Sequence, residues 1–307
     1  MQRLTEDGVG VAVCCFNPDG NHLRKLLAVI VDSGHPMVLI DDGSEDGGLQ
    51  AEQALDGVEQ PSIKLLRMSS NTGLAAAQNR AFSYAQEQGW KAVILFDQDS
   101  LPESGQIDTL AGAFSDLWPR DQHGFAALAS YYVDSQLTSR APFFQLKGGL
   151  RRRQQRRTGE RYCDIDYCAA SGTLIPLEAF ERVGEFRRDL HIGYVDVEWC
   201  FRARSLGYRL LGVWDAGMHH QLGDRSVNVL GRHFPLHSPL RQYYRVRNLL
   251  LIARQPAVSL VWVGAEFMRV LLRWLLDIGI ADQRWRRIRL FCRGAKHGFL
   301  GRGGIGP

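Results

Sequence analysis

Between residues 9 and 100 the chain alternates short apolar runs with helical patterns, and each run stops at a polar tip. Residues 9–16, 37–40, 62–67 and 92–96 read as strands. A turn at Asn17, Pro18, Asp19 and Gly20 feeds a helix through Leu23, Leu26, Leu27 and Ile30, and a second helix over residues 73–88 carries Leu74, Ala77, Ala81 and Tyr84 at helical spacing. Runs this apolar suit strands buried on both faces, and their alternation with helices is met most economically by a parallel sheet with right-handed crossovers. Open α/β sheets bind ligands beyond the carboxyl ends of their strands. The tips here are Phe16 and Asn17, Asp41 and Asp42, Asn71, then Asp97 and Asp99, so aromatic, amide and carboxylate groups collect along one sheet edge.

Dinucleotide-binding domains share this alternation but open their first helix with a glycine fingerprint. Here the first strand runs into Asn17-Pro18-Asp19-Gly20, and no Gly-Lys-Ser/Thr phosphate loop follows any strand. Phosphates must then be held by a metal and basic side chains. The six cysteines form no Cys-x-x-Cys pair and sit mostly in apolar segments, which fits reduced cytosolic thiols, with Cys163 and Cys168 the one plausible local pair. The opening residues are polar and the apolar run after them is short, so no signal peptide is expected.

The fourth tip, Asp97-Gln98-Asp99-Ser100, permits two readings. Two carboxylates at a strand end can hold a divalent cation that also clamps phosphates. The same four residues can equally form an Asp turn with Ser100 as a helix N-cap and Pro102 in the first turn. Asp41-Asp42-Gly43-Ser44 divides the same way, between a simple turn and a carboxylate that accepts the imide N–H of a pyrimidine while an aromatic such as Phe16 stacks on the base.

Four stretches in order carry a resemblance. Residues 11–17, the Asp42-Gly43-Ser44 turn, the run from Asn71 through Asn79, and Phe96-Asp97-Gln98-Asp99-Ser100 resemble the motifs of GT-A inverting glycosyltransferases of family 2, and the Asp-Gln-Asp-Ser form is similar to bacterial rhamnosyltransferases. The resemblance runs from about Val9 to Arg254 and takes in residues 168–175, residues 186–202, the Trp214–Gly223 stretch and residues 237–248. It implies a GT-A fold, Rossmann-like with a mostly parallel central sheet, carrying a helical C-terminal appendage. By the same match Asp196 is the general base that takes the acceptor proton; Glu198 is expected in support, orienting the acceptor or a basic neighbour, and Trp199 reads either as core or as a sugar-stacking platform for the acceptor. Phe16, Asn17, Asp42, Asn71, Asn79 and Asp97 are expected to bind the nucleotide, and Asp99, Asp97 and His220 to hold Mg2+ or Mn2+. Arg241, Tyr244 and Arg247, three residues apart on one helical face, are expected on the diphosphate. Read without the resemblance, Asp196 and Glu198 are an N-cap and a dipole-facing acid, and the arginines a solvated helix face.

The donor so implied is dTDP-rhamnose, and the acceptor a saccharide or glycolipid of lipopolysaccharide core or O-antigen synthesis, with a rhamnolipid precursor or another nucleotide sugar as alternatives. A sugar nucleotidyltransferase would need a Gly-rich, Lys-bearing loop that this chain lacks, and a noncatalytic saccharide-binding subunit would need no base. The expected boundaries are 1–250 for the transferase domain, divided near 105 into nucleotide-sugar and acceptor halves, and 251–307 for a basic amphipathic helical region.

Formal net charge is only +4, yet between Arg269 and Arg302 nine Lys/Arg face Asp277 and Asp282. In residues 256–281 the charges Glu266, Arg269, Arg273 and Asp277 share one helical stripe, so the helix either lies in an anionic leaflet or packs back on the domain. No nucleic-acid module accompanies the basic residues, and a cytoplasmic protein in peripheral contact with the inner membrane is the expected setting. The arginines of residues 147–161 read as a polar loop that meets an acidic acceptor or lipid phosphates, or is simply solvated. Residues 301–307 read as a disordered end.

Overall fold

The computed structural model describes residues 8–56, 63–120, 124–134, 140–220, 225–229, 232–236 and 238–307. Strands β1 (Val9–Cys15), β2 (Met37–Asp41), β3 (Ile63–Arg67) and β4 (Ala92–Asp97) pair in parallel in the spatial order β3-β2-β1-β4. They are joined by helices α1 (Gly20–Asp32), α2 (Leu49–Leu55) and α3 (Leu74–Glu87). Asp19 caps α1 by accepting from the amides of Asn21 and His22, which is why the turn after β1 starts a helix.

After the tetrad come β5 (Ser100–Pro102), α4 (Gln106–Leu117), β6 (Phe125–Asp134), the hairpin β7 (Phe144–Lys147) and β8 (Leu150–Arg153), β9 (Tyr162–Ile165) and β10 (Thr173–Pro176). Strand β10 inserts antiparallel between β4 and β6 and so joins the two halves of the sheet. Helices α5 (Leu177–Val183) and α6 (Val195–Ser205) lead to β11 (Arg209–His220), which pairs in parallel with β6 and antiparallel with β5 and β9. A hairpin of β12 (Arg225–Val229) and β13 (Arg232–Leu236) precedes three helices, α7 (Pro239–Ile252), α8 (Leu260–Ile280) and α9 (Arg284–Phe299).

The sheet is covered on both sides, which explains its continuous apolar runs. Along β1, Ala12 and Cys14 face a core shared with α3, α5, α6, α7 and α8, while Val11 and Val13 face α1, α2 and α4. Helix α9 lies tightly on α7, because a Cβ at Gly294 or Gly298 would run into the Tyr243 or Arg247 carbonyl. Among the described residues no helix is long and apolar enough to cross a membrane.

Two sequence expectations change at this level. Residues 301–307 are not a loose end: the Gly304 amide donates to the Asp189 carbonyl at 2.6 Å and the Gly306 amide to the Tyr244 hydroxyl at 2.7 Å. The basic 147–161 stretch is partly the β7–β8 hairpin, and its Arg151 and Arg156 are paired with Glu266 and Asp215 at 2.8 and 2.6 Å. Cys163 is buried in β9, and the thiol near Cys168 is that of Cys200 at 3.8 Å.

Candidate active site

The tetrad is held by its neighbours rather than by its own turn. Gln98 accepts from the Phe16 amide at 2.7 Å and so ties the tip of β4 to that of β1. Ser171, just before β10, accepts from the Asp97 amide with its side-chain oxygen at 3.0 Å and bonds the Ser100 hydroxyl at 2.7 Å. Ser100 opens a strand, not a helix, so the N-cap reading of the tetrad gives way. Asp97 and Asp99 are left partly open to solvent.

Asp196 lies in the first turn of α6, with one carboxylate oxygen on the Val197 amide at 2.8 Å. The fold brings it to the tetrad. Burial, then Asp99, then Asp196 push the Asp97 carboxyl up to about 7, against the pull of Arg241. Burial also raises Asp196 above the ordinary carboxylate range, and its amide hydrogen bonds offset part of that shift. Two strand-end acids, the α6 acid and one arginine from α7 therefore form a single electrostatic cluster.

The sequence reading missed Tyr132. Its phenol, on β6, senses Asp196 and Asp97, and burial keeps it protonated and able to donate. Tyr131 beside it hydrogen-bonds Glu103, so the strand alternation that separates the two rings was the signal available.

The nucleotide-side residues divide. Phe16 is partly exposed and Asn17 exposed at the β1 tip, where Asn17 accepts from the Glu45 amide at 2.8 Å. Asp42 is buried and already accepts from the Thr72 amide and hydroxyl and the Gly73 amide, at 2.8–2.9 Å, while Asn71 also accepts from Gly73. Asp42 thus shapes the entry to α3 before any ligand arrives. Asn79 is a correction: it is 1% exposed and its amide is spent on the backbone N–H and C=O of Phe186, both at 2.9 Å.

Three further expectations are corrected by burial. Trp199 stacks among Phe180 and Phe186 in the core and donates to the Gly184 carbonyl, so no sugar can lie on it. Glu198, fully buried, holds its basic neighbour Arg202 and Gln255, each at 2.8 Å. Arg247, also fully buried, donates to the carbonyls of Asp189, Leu190 and Gly304, and Asn248 adds the carbonyls of Leu190, Ile192 and Gly193. Tyr244 stacks on His191 with centroids 5.1 Å apart. Arg247 and Tyr244 therefore fasten the 189–193 loop that delivers Asp196, instead of reaching a diphosphate. Of the three α7 residues only Arg241 is exposed and joins the acidic cluster.

His220 ends β11 opposite Ser100 in the register, and its side chain lies outside the described residues. Among the described residues no three His, Cys, Asp or Glu form a ready metal cage. Asp97 and Asp99 still fit a cation that takes its remaining ligands from phosphates and water, since the donor set is two crowded carboxylates at the site mouth.

The family model for glycosyl transferase family 2 matches residues 11–184. The chain belongs to glycosyl transferase family 2. A relative from Shigella flexneri named dTDP-rhamnosyl transferase RfbF is 30% identical over 267 residues, covering 87% of this chain and 86% of the relative. Among solved structures, GalNAc-T7 with UDP, GalNAc and Mn2+ superposes at a TM-score of 0.60 with 14% identity, over 95% of this chain and 56% of that one. Residues 1–349 of S. aureus TarS superpose at 0.55 with 14% identity, over 94% of this chain and 80% of that one. These likenesses give the glycosyltransferase the GT-A fold. The match ends at residue 184, short of Asp196.

Proposed function

We propose that this family 2 glycosyltransferase moves L-rhamnose, with inversion, from dTDP-β-L-rhamnose to a hydroxyl of a saccharide acceptor in lipopolysaccharide core or O-antigen synthesis. The observation that carries the reading is the single cluster of Asp97, Asp99, Asp196 and Arg241, and the name of the Shigella flexneri relative supports the donor. The thymine lies at Phe16 and Asn17, with Asp42 and Asn71 shaping its pocket from the turn they hold. Residues 1–105 serve the nucleotide sugar, 106–250 the acceptor, and 251–307 form the helical appendage.

Asp196 takes the proton of the acceptor hydroxyl as that oxygen attacks the anomeric carbon from the face opposite the diphosphate. Its raised affinity for a proton suits a base that must hold it through the transfer. Arg241 opposes the charge that grows on the leaving diphosphate, where a fixed cation lowers the barrier most. Asp99 and Asp97 would hold Mg2+ or Mn2+, with His220 as a third ligand, and the ion when bound neutralises diphosphate charge.

The test is a panel of nucleotide sugars with Mn2+, with and without EDTA, read as release of the nucleoside diphosphate. Turnover of dTDP-rhamnose that EDTA stops is expected. Failure of every dTDP-sugar, with another nucleotide sugar turned over, would remove the rhamnosyl reading and leave the family assignment standing.

A further inference from the structure

Helix α8 is mounted with its charges inward. Glu266 is 4% exposed and Asp277 fully buried, while Leu260, Val261, Met268, Leu272, Leu275 and Leu276 are all more than half exposed, Leu260 at 73%. Every exposed residue of α8 is apolar or glycine. A rise of about 1.5 Å per residue makes this a ridge on the order of 30 Å long. The inward face is held by specific pairs: Glu266 with Arg151 at 2.8 Å and Arg269 at 2.7 Å, and Asp277 with Arg273 at 3.0 Å and Gln242. Burying two carboxylates while leaving leucines in water costs free energy twice, and an apolar ridge of this extent marks a contact surface.

The groups around the ridge show what it contacts. At the α8–α9 corner an open concavity of about 500 Å³ is lined by Ile280, Arg284, Trp285 and Arg286. Trp285 is 83% exposed between its two arginines. Along α9, Arg289, Arg293 and Lys296 are exposed as well, with Asp282 the exposed acid at the corner. A tryptophan and arginines at the end of an apolar ridge suit the level where acyl chains meet phosphates.

We propose that α8 and the start of α9 form a docking surface for an anionic bilayer, the ridge lying flat at the acyl boundary and Arg284, Arg286 and Arg289 on lipid phosphates. The surface is coupled to the site, because Glu266 also accepts from Tyr194 at 2.9 Å, two residues before Asp196. A lipid-borne acceptor would thus meet the base beside the membrane. The docking itself does not depend on which sugar is donated.

The full chain is floated with vesicles of phosphatidylethanolamine and phosphatidylglycerol, and with phosphatidylcholine vesicles. Binding to the anionic vesicles, weakened by salt, is expected, with little on phosphatidylcholine. The double variant Leu272→Glu/Leu276→Glu, whose side chains are exposed and leave the core intact, should bind at least about tenfold more weakly with an unchanged melting temperature and unchanged donor hydrolysis. Arg284→Glu/Arg286→Glu should abolish the preference for anionic lipid. Absence of wild-type binding at low salt, or wild-type binding by the leucine variant, would overturn the proposal. So would a concentration-dependent dimer that Leu272→Glu/Leu276→Glu dissociates and that fails to bind vesicles, which would assign the ridge to a second copy.

Discussion

Asp196 and Asp97 are acids that the fold forces into each other's company, and their chemistry follows from that placement. Asp196→Asn should keep donor binding by calorimetry and lose transfer by at least about a hundredfold, while wild-type turnover would remove it as the base. A base must be unprotonated to act, and burial raises the Asp196 carboxyl. The acid limb of the rate profile at saturating donor should therefore lie above the ordinary aspartate range, activity falling as pH drops through the raised value. Arg241 and Arg247 look equivalent in sequence yet should behave oppositely. Arg241→Ala should weaken turnover of donor by about a hundredfold with little change in stability. Arg247→Lys loses a buried fork on the carbonyls of Asp189, Leu190 and Gly304 and should cost about 2 kcal/mol in urea unfolding, lowering kcat with the donor Kd unchanged.

At the scale of elements, the strand and helix order of residues 9–100 was legible because its signal is local. Continuous apolar runs, a 3.6-residue helical period, the Asn17–Gly20 turn and polar tips need no knowledge of the rest of the chain. The orientation of α8 was not legible. Its charged stripe could be read, but which side of the stripe meets the body depends on Arg151, contributed by a hairpin over a hundred residues away. Glu266→Ala should therefore lower the melting temperature and cost about 2 kcal/mol, since Arg151 and Tyr194 lose their shared partner. Leu272→Ala on the opposite side of the same helix should be nearly neutral in solution, its side chain being exposed.

On the scale of the whole molecule, the loop that leads to Asp196 is fastened by chain distant in sequence. Residues 303–307 supply the Gly304 carbonyl to Arg247 and the Gly306 amide to Tyr244. Deleting them should lower the melting temperature and reduce transfer more than donor binding, because the loop before Asp196 loses part of its fastening.

By itself the sequence determined the strand–helix order, the row of polar tips and the residue types that bear the chemistry, since each is written in spacing along the chain. Only the tertiary structure decided which of those residues remain available. Asn79, Glu198, Trp199 and Arg247 are consumed by long-range hydrogen bonds and packing, while Ser171 and Tyr132 are drawn in by β10 and β6. A side chain's partners across the fold, and hence what it has left for a ligand, depend on contacts no local pattern encodes.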